Sequence, residues 1–205
     1  CRVAERLGAG IIALGGFTSI VGEKYFSKLK SEIKIPVTTG NTFTSSLAID
    51  GLRKAGELMG KNLSDSHMVI IGGTGDIGSA CGRVFASEVR KLTITGRTLS
   101  SMNKIKEELD QAGHAEVCIT TDNAAAAEEA DFILAAASAS ETLIKADSLK
   151  PGVVVCDVGY PKNISYSKKK RDDIFVFSGG LSSTPFPFDL GFDVGLPSTE
   201  IIYGC

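Results

Sequence analysis

The run Met68-Val-Ile-Ile-Gly-Gly-Thr-Gly-Asp-Ile-Gly-Ser-Ala80 limits what this chain can fold into more than any other. A β-branched apolar stretch breaks into Gly73-x-Gly75-x-x-Gly78 and continues as an amphipathic helical pattern. A strand that turns at once into a helix needs positions without a Cβ. The helix then offers unpaired N–H groups and the positive end of its dipole to an anion. In a strand, turn and helix context the anion is the pyrophosphate of a dinucleotide. Gly73 is expected to make the bend, Gly75 to admit the phosphates, and Gly78 to let the helix pack on the strand. The amides around Thr74, Asp76 and Ile77 are expected to hold the diphosphate. The alternative is a glycine turn with a purely structural role.

From residue 67 onward strand and helix patterns alternate. Strands are expected at 67–71, 92–95, 115–120, 132–136, 153–157 and 174–177, with helices at 77–89, 99–111 and 123–129. This spacing predicts right-handed crossovers and a doubly wound, mostly parallel α/β sheet of the Rossmann type. The segment before it carries short strand candidates at 11–14 and 34–37, then a helix over 44–59. The expected division is 1–43 as the remnant of a substrate or catalytic domain, 44–60 as a linking helix, 61–180 as the NADP-binding Rossmann domain, and 181–205 as a C-terminal loop and truncated helix. That last helix is expected to begin at Pro197 or Ser198. Starting at Cys1 without Met, the chain reads as a fragment of a longer protein.

Dehydrogenases that select NAD place Asp or Glu at the end of the second strand, where it binds the ribose 2′-hydroxyl. Here that strand ends Thr95-Gly96-Arg97-Thr98. The planar fork of Arg97 suits a 2′-phosphate, which favours NADP(H) over NAD. The competing reading is a loop cation stacked over adenine. Ligands of open α/β sheets lie beyond the carboxyl ends of the strands, which selects Ala137 and Ser138, Gly159, and Gly180 as further cofactor contacts. Lys162 is the candidate catalytic cation, as proton donor or anion holder, against a plainly solvated role. Asp157 fits a turn cap. Asn41 is the second catalytic candidate, and Thr42, Thr18 and Ser19 are candidate substrate contacts. All four also suit helix caps.

The chain has 205 residues, 43% of them hydrophobic, enough for a substantial core. A formal charge of −2 gives no general attraction to nucleic acid or anionic membrane. The one basic run, 168–171, reads as a solvated loop beside Asp172 and Asp173. No apolar segment reaches the roughly 20 residues that cross a bilayer. The five cysteines lack metal-ligand spacing, so no metal is expected. Cys81, Cys118 and Cys156 read as thiols within the fold, which suits a reducing cytoplasm. The expected partners are a small-molecule or acyl-carrier-bound substrate and, in a homo-oligomer, further copies of the chain.

Five ordered segments carry a more specific signal: Ala13-Leu-Gly-Gly-Phe-Thr-Ser-Ile20, Thr38-Thr-Gly-Asn-Thr42, the 72–80 turn, Gly159-Tyr-Pro-Lys-Asn163 and Ser178-Gly-Gly180. Together they resemble the long-chain acyl-[acyl-carrier-protein] reductases, which make fatty aldehydes with NADPH. The resemblance implies an amino-terminal substrate region, a nucleotide domain, a returning C-terminal helix, and a cysteine after the last Gly-Gly that takes the acyl group as a thioester. A thiolate suits that role because it attacks and leaves readily. The stretch Leu181-Ser-Ser-Thr-Pro-Phe186 holds no cysteine, and Cys205 is expected to belong to the terminal helix. The order of segments is also similar to the broader shikimate dehydrogenase group. The aspartate that follows Asn-Thr there is replaced by Phe43, which argues against shikimate itself.

Overall fold

The computed structural model describes residues 1–15, 17–165, 171–189, 191, 195–196 and 198–204. In chain order the elements are α1 (Arg2–Arg6), β1 (Ile12–Ala13), α2 (Phe17–Lys24), α3 (Phe26–Glu32), β2 (Val37–Thr38), α4 (Asn41–Leu58), β3 (His67–Ile71), α5 (Asp76–Phe85), β4 (Lys91–Thr95), α6 (Leu99–Ala112), β5 (Glu116–Thr120), α7 (Asn123–Glu128), β6 (Phe132–Ala135), β7 (Ile144–Lys145), β8 (Val154–Asp157), β9 (Ile164–Ser165), β10 (Phe175–Ser178), β11 (Leu181–Ser183) and β12 (Ile201–Tyr203).

Six strands form one parallel sheet in the order β10-β8-β6-β3-β4-β5. Read from the other edge this is the 3-2-1-4-5-6 order of the Rossmann fold, with β3 as first strand. The sheet is covered on both faces, so its central strands are apolar throughout instead of alternating. Along β3, Met68 and Ile70 enter one core with Leu52 of α4, Phe85 of α5 and Leu109 of α6. Val69 and Ile71 face the opposite way, into a second core with Ala127 of α7, Ile144, Leu149 and Ile164. The pleat alone sorts one continuous apolar run into two cores.

Each of the six expected sheet strands is present within one residue at either end. The helix expected over 77–89 ends at Phe85, and α4 begins at Asn41 instead of 44. The terminal helix is corrected outright. Ile201–Tyr203 is a strand, antiparallel to Leu181–Ser183, and Thr184 N–H donates to Glu200 O at 2.7 Å. A β-branched pair followed by tyrosine suits an edge strand. Pro197 and Cys205 fall outside the described residues, as does most of the 168–171 run. Among the described residues no helix is long and apolar enough to cross a membrane, and no cluster of side chains suits a metal ion.

Candidate functional site

Where β3, β4 and β6 end, the sheet opens into a cleft of about 590 Å³, with Thr74 and Gly75 on one side, Thr95 and Arg97 at one end, and Ala137 and Ser138 opposite. The glycine turn is built by close approach. Gly72, not Gly73, carries the left-handed conformation, with φ of +75°. That corrects the expected placement of the bend, and the position is crowded as well: a Cβ on Gly72 would lie 2.7 Å from Ala137 Cα. Gly73 is closed off instead by Ile94, whose Cγ2 would be 2.6 Å from an added Cβ. Gly78 sits under the turn, where a Cβ would meet Gly72 O at 2.5 Å. Gly75 is open, its nearest neighbour being Gly72 O at 3.4 Å. It caps α5, whose first-turn amides, from Asp76 to Gly78, have no acceptor within the helix.

Of the residues expected to contact a cofactor, Thr74, Gly75, Arg97, Ala137 and Ser138 line the cleft. Gly73 and Gly78 support it from beneath, and Ile77 packs on the core. Asp76 is exposed at the start of α5 and accepts a hydrogen bond from Asn41 Nδ2 at 3.3 Å. Thr98 stands at the cap of α6 without a side-chain cap bond. Gly159 and Gly180 lie in neighbouring loops, outside the cleft lining. Arg97 is exposed and makes no ion pair among the described residues.

Beyond β8 the loop is organised by a buried carboxylate. Asp157 Oδ1 accepts the Gly159 N–H at 2.9 Å, and Oδ2 accepts those of Asn163 and Ile164 at 2.9 and 3.1 Å. Burial pushes this carboxyl above its ordinary range, against the opposing pull of the three donors. Lys162 Nζ donates to the Asp157 carbonyl at 2.8 Å, which holds the lysine against the loop. Asn163, fully buried, is a residue sequence reading gave no role. Its Oδ1 accepts from Ala137 N at 2.8 Å, and its Nδ2 donates to Ala137 O at 3.0 Å. The legible signal is the Asp157-x-Gly159 spacing of an Asx turn.

The substrate-side candidates are mixed. Thr18 Oγ1 donates to Gly15 O at 2.7 Å, while Ser19 is buried and Thr42 is exposed. A neighbour matters more. Thr44 is 2% exposed, and its hydroxyl has no hydrogen-bond partner among the described residues. A Cβ on Gly204 would lie 2.8 Å from that hydroxyl, and Gly204 N–H donates to Gly180 O at 2.7 Å. The β11 and β12 pair thus returns the C-terminal end to Gly180, closing the sequence gap that separates Gly180 from Gly204. Cys81 and Cys156 are fully buried; burial pushes the Cys81 thiol up to about 12 and raises that of Cys156 as well.

An open parallel sheet with a glycine turn and a cleft at its carboxyl edge is the architecture of a Rossmann-type nucleotide-binding domain. The chain belongs to the shikimate/quinate 5-dehydrogenase family, whose model matches residues 53–178. It is 32% identical over 91% of its length to the long-chain acyl-[acyl-carrier-protein] reductase of Synechococcus elongatus, covering 55% of that protein. It is 27% identical over 84% of its length to the glutamyl-tRNA reductase of Chlorobium phaeobacteroides, covering 41% of that protein. The chain therefore spans about half the length of these relatives. Dipicolinate synthase from Bacillus subtilis shares the fold, with a TM-score of 0.57 over 82% of this chain and 56% of that one at 13% identity. The resemblance drawn from the sequence motifs and the shikimate dehydrogenase grouping both stand.

Proposed function

We propose that this chain binds NADP(H) and forms the nucleotide domain of an oxidoreductase that reduces an acyl or carbonyl substrate by hydride transfer. The carrying observation is one cleft that reaches Gly75, the N-cap of a helix α5 whose first-turn amides have no intrahelical acceptor, and that holds, at the end of β4, an Arg97 unpaired among the described residues. The turn suits a diphosphate, and the guanidinium suits a 2′-phosphate where an NAD enzyme would keep a carboxylate. The pocket residues fit a dinucleotide in polarity and in the close backbone approach that Gly72 and Gly75 permit. When bound, the reduced nicotinamide supplies the hydride.

The names of both reductase relatives describe an acyl group activated on a carrier, and this chain's own residues suit that chemistry. The thioester-forming thiol is assigned to Cys205: Cys1 stands at the cap of α1, and Cys118 lies on β5, at the sheet edge opposite the β10 strand that leads to Gly180. Gly204, the neighbour of Cys205, is bonded to Gly180, whereas the buried Cys81 and Cys156 are held protonated, and a thiol is a poor nucleophile beside its thiolate. Lys162 and Asn41 serve as polar holders at the carboxyl edge of the sheet, and Thr18, Ser19 and Thr42 as the substrate side.

The test is calorimetry with NADPH and NADH, followed by cofactor consumption with acyl-carrier-protein thioesters, acyl-CoA, aldehydes and, in reverse, hydroxyacids. NADPH binding with thioester-dependent oxidation, lost in Cys205→Ser, is the expected result. Hydroxyacid oxidation alone would move the assignment to the dehydrogenase chemistry named by the family model. Binding without turnover of any substrate would leave a nucleotide-binding module, and binding of neither cofactor would end the reading.

A further inference from the structure

The wall of the cleft opposite the glycine turn is a short irregular stretch: Ala136-Ala-Ser-Ala-Ser140 follows β6 with no element of its own. A loop of small residues does not hold one shape unaided, because nothing in its side chains opposes the backbone entropy. Yet Ala137 is fixed closely enough that its Cα stands 2.7 Å from where a Cβ on Gly72 would be. Ala136 N–H first continues the ladder to β3 on Ile71 O at 2.9 Å, and beyond it one side chain holds the loop. The Asn163 amide takes both backbone polar groups of Ala137, N–H and C=O, in a bidentate clasp that mimics a strand partner. Asn163 is itself set from behind, its own N–H on the Asp157 carboxylate at 2.9 Å. The space for its amide exists because residue 159 has no side chain: a Cβ there would meet Asn163 Nδ2 at 2.7 Å.

We infer that Asn163 is a positioning residue for the nicotinamide half of the cofactor, clamping the Ala137 and Ser138 wall against the glycine turn so that the cleft is preformed. The inference rests on the cofactor reading above. Neither aspartate nor alanine reproduces these bonds. Aspartate lacks the donor for Ala137 O and sets a second carboxylate beside Asp157. Alanine leaves both Ala137 groups to find water or reorient. The adenine end, around Arg97 and Thr95, lies on β4, where Thr95 bonds to Asn123, while the Asn163 amide is spent on Ala137 and Pro161. Loss of the clamp therefore acts on one half of the ligand only.

The experiment compares NADPH with adenosine 2′,5′-bisphosphate, a fragment that carries the adenine and 2′-phosphate but no nicotinamide. For Asn163→Ala and Asn163→Asp, NADPH affinity is expected to fall on the order of tenfold while the fragment binds as tightly as to the wild type. Gly159→Ala, which touches no cleft residue, should weaken NADPH in the same selective way. Combining it with Asn163→Ala, which vacates the crowded space, should be no worse than Asn163→Ala alone. Equal loss for both ligands, or no loss for either in a variant that melts within a few degrees of the wild type, overturns the clamp. If the asparagine variants fail to fold, Gly159→Ala alone decides by the same ratio. Failure of the wild-type chain to bind either ligand strikes instead at the cofactor reading.

Discussion

Arg97 is the residue on which cofactor choice turns. Its side chain stands at the end of β4 beside Gly96 and Thr95, in the cleft and without an ionic partner among the described residues. A free guanidinium there gains charge-assisted hydrogen bonds only when a phosphate is present, so its removal should be felt by one cofactor and not the other. Arg97→Ala is expected to weaken NADPH roughly ten- to hundredfold, matching the loss of about 1.5–3 kcal/mol for bonds to a charged group, and to leave NADH within twofold. Calorimetric titration of both cofactors measures this directly. An equal loss for both would assign Arg97 to stacking on adenine. Gly78 tests the other side of the cleft. Its Cβ would fall 2.5 Å from Gly72 O and 2.8 Å from Gly73 Cα, both backbone, so neither neighbour yields cheaply. Gly78→Ala should cost about 1–3 kcal/mol in urea unfolding and abolish NADPH binding by displacing α5 from the turn.

The strand β3 shows why the sheet was legible and the C-terminal end was not. Five consecutive buried residues leave a continuous apolar signature, and the glycine turn fixes where it stops. The pair β11 and β12 has no such signature, because the three residues of each strand are half-buried at best and join only through contacts distant in sequence. The clasp of Asn163 was invisible for the same reason: it depends on Ala137, on another strand's loop. β3 also begins with a titratable group. His67 is buried, with Nδ1 donating to Glu129 O at 3.3 Å and Nε2 accepting the Thr93 hydroxyl at 2.8 Å, an arrangement that suits the neutral ring. Burial lowers its pKa in the folded state. The unfolded chain therefore takes up the proton first. Stability is whole above about pH 6.5, the ordinary histidine value, and is lost as pH falls below it toward the lower folded value. The neighbouring Asp131 is desolvated too, but the His67 N–H and the Lys150 ammonium outweigh this and hold it below its ordinary value, so its own loss lies at more acid pH. Urea midpoints from pH 7 to pH 5 should fall in the wild type and fall less steeply in His67→Gln. Parallel declines would exclude His67 as the source.

Across the molecule the cofactor cleft and the reacting end are held by different parts of the chain that meet on α4. The helix packs on β8 and α5 through Ala48, Leu52 and Ala55, and its first turn carries Asn41 toward Asp76 and Thr44 toward Gly180 and Gly204. The cleft lining comes from the carboxyl ends of β3 to β6 and the loops that follow them, and among the described residues it includes none after Leu143. The C-terminal strand pair, by contrast, is seated by Gly204: its N–H is on Gly180 O, and an added Cβ would meet Thr44 Oγ1 at 2.8 Å and Leu47 Cδ1 at 3.1 Å. Binding and turnover are therefore separable by one substitution. Gly204→Val drives two methyl groups into α4 and lifts the strand pair, while every cleft residue keeps its neighbours. NADPH affinity is expected within about twofold of the wild type, since no contact in the lining is lost, with thioester reduction falling at least about tenfold because reacting groups tolerate little misplacement. Calorimetry and cofactor consumption on the same preparation give the two readings. If both fall together, the C-terminal strand pair is part of the cofactor cleft; if neither moves, the acyl group reacts elsewhere and Cys205 loses its assigned role.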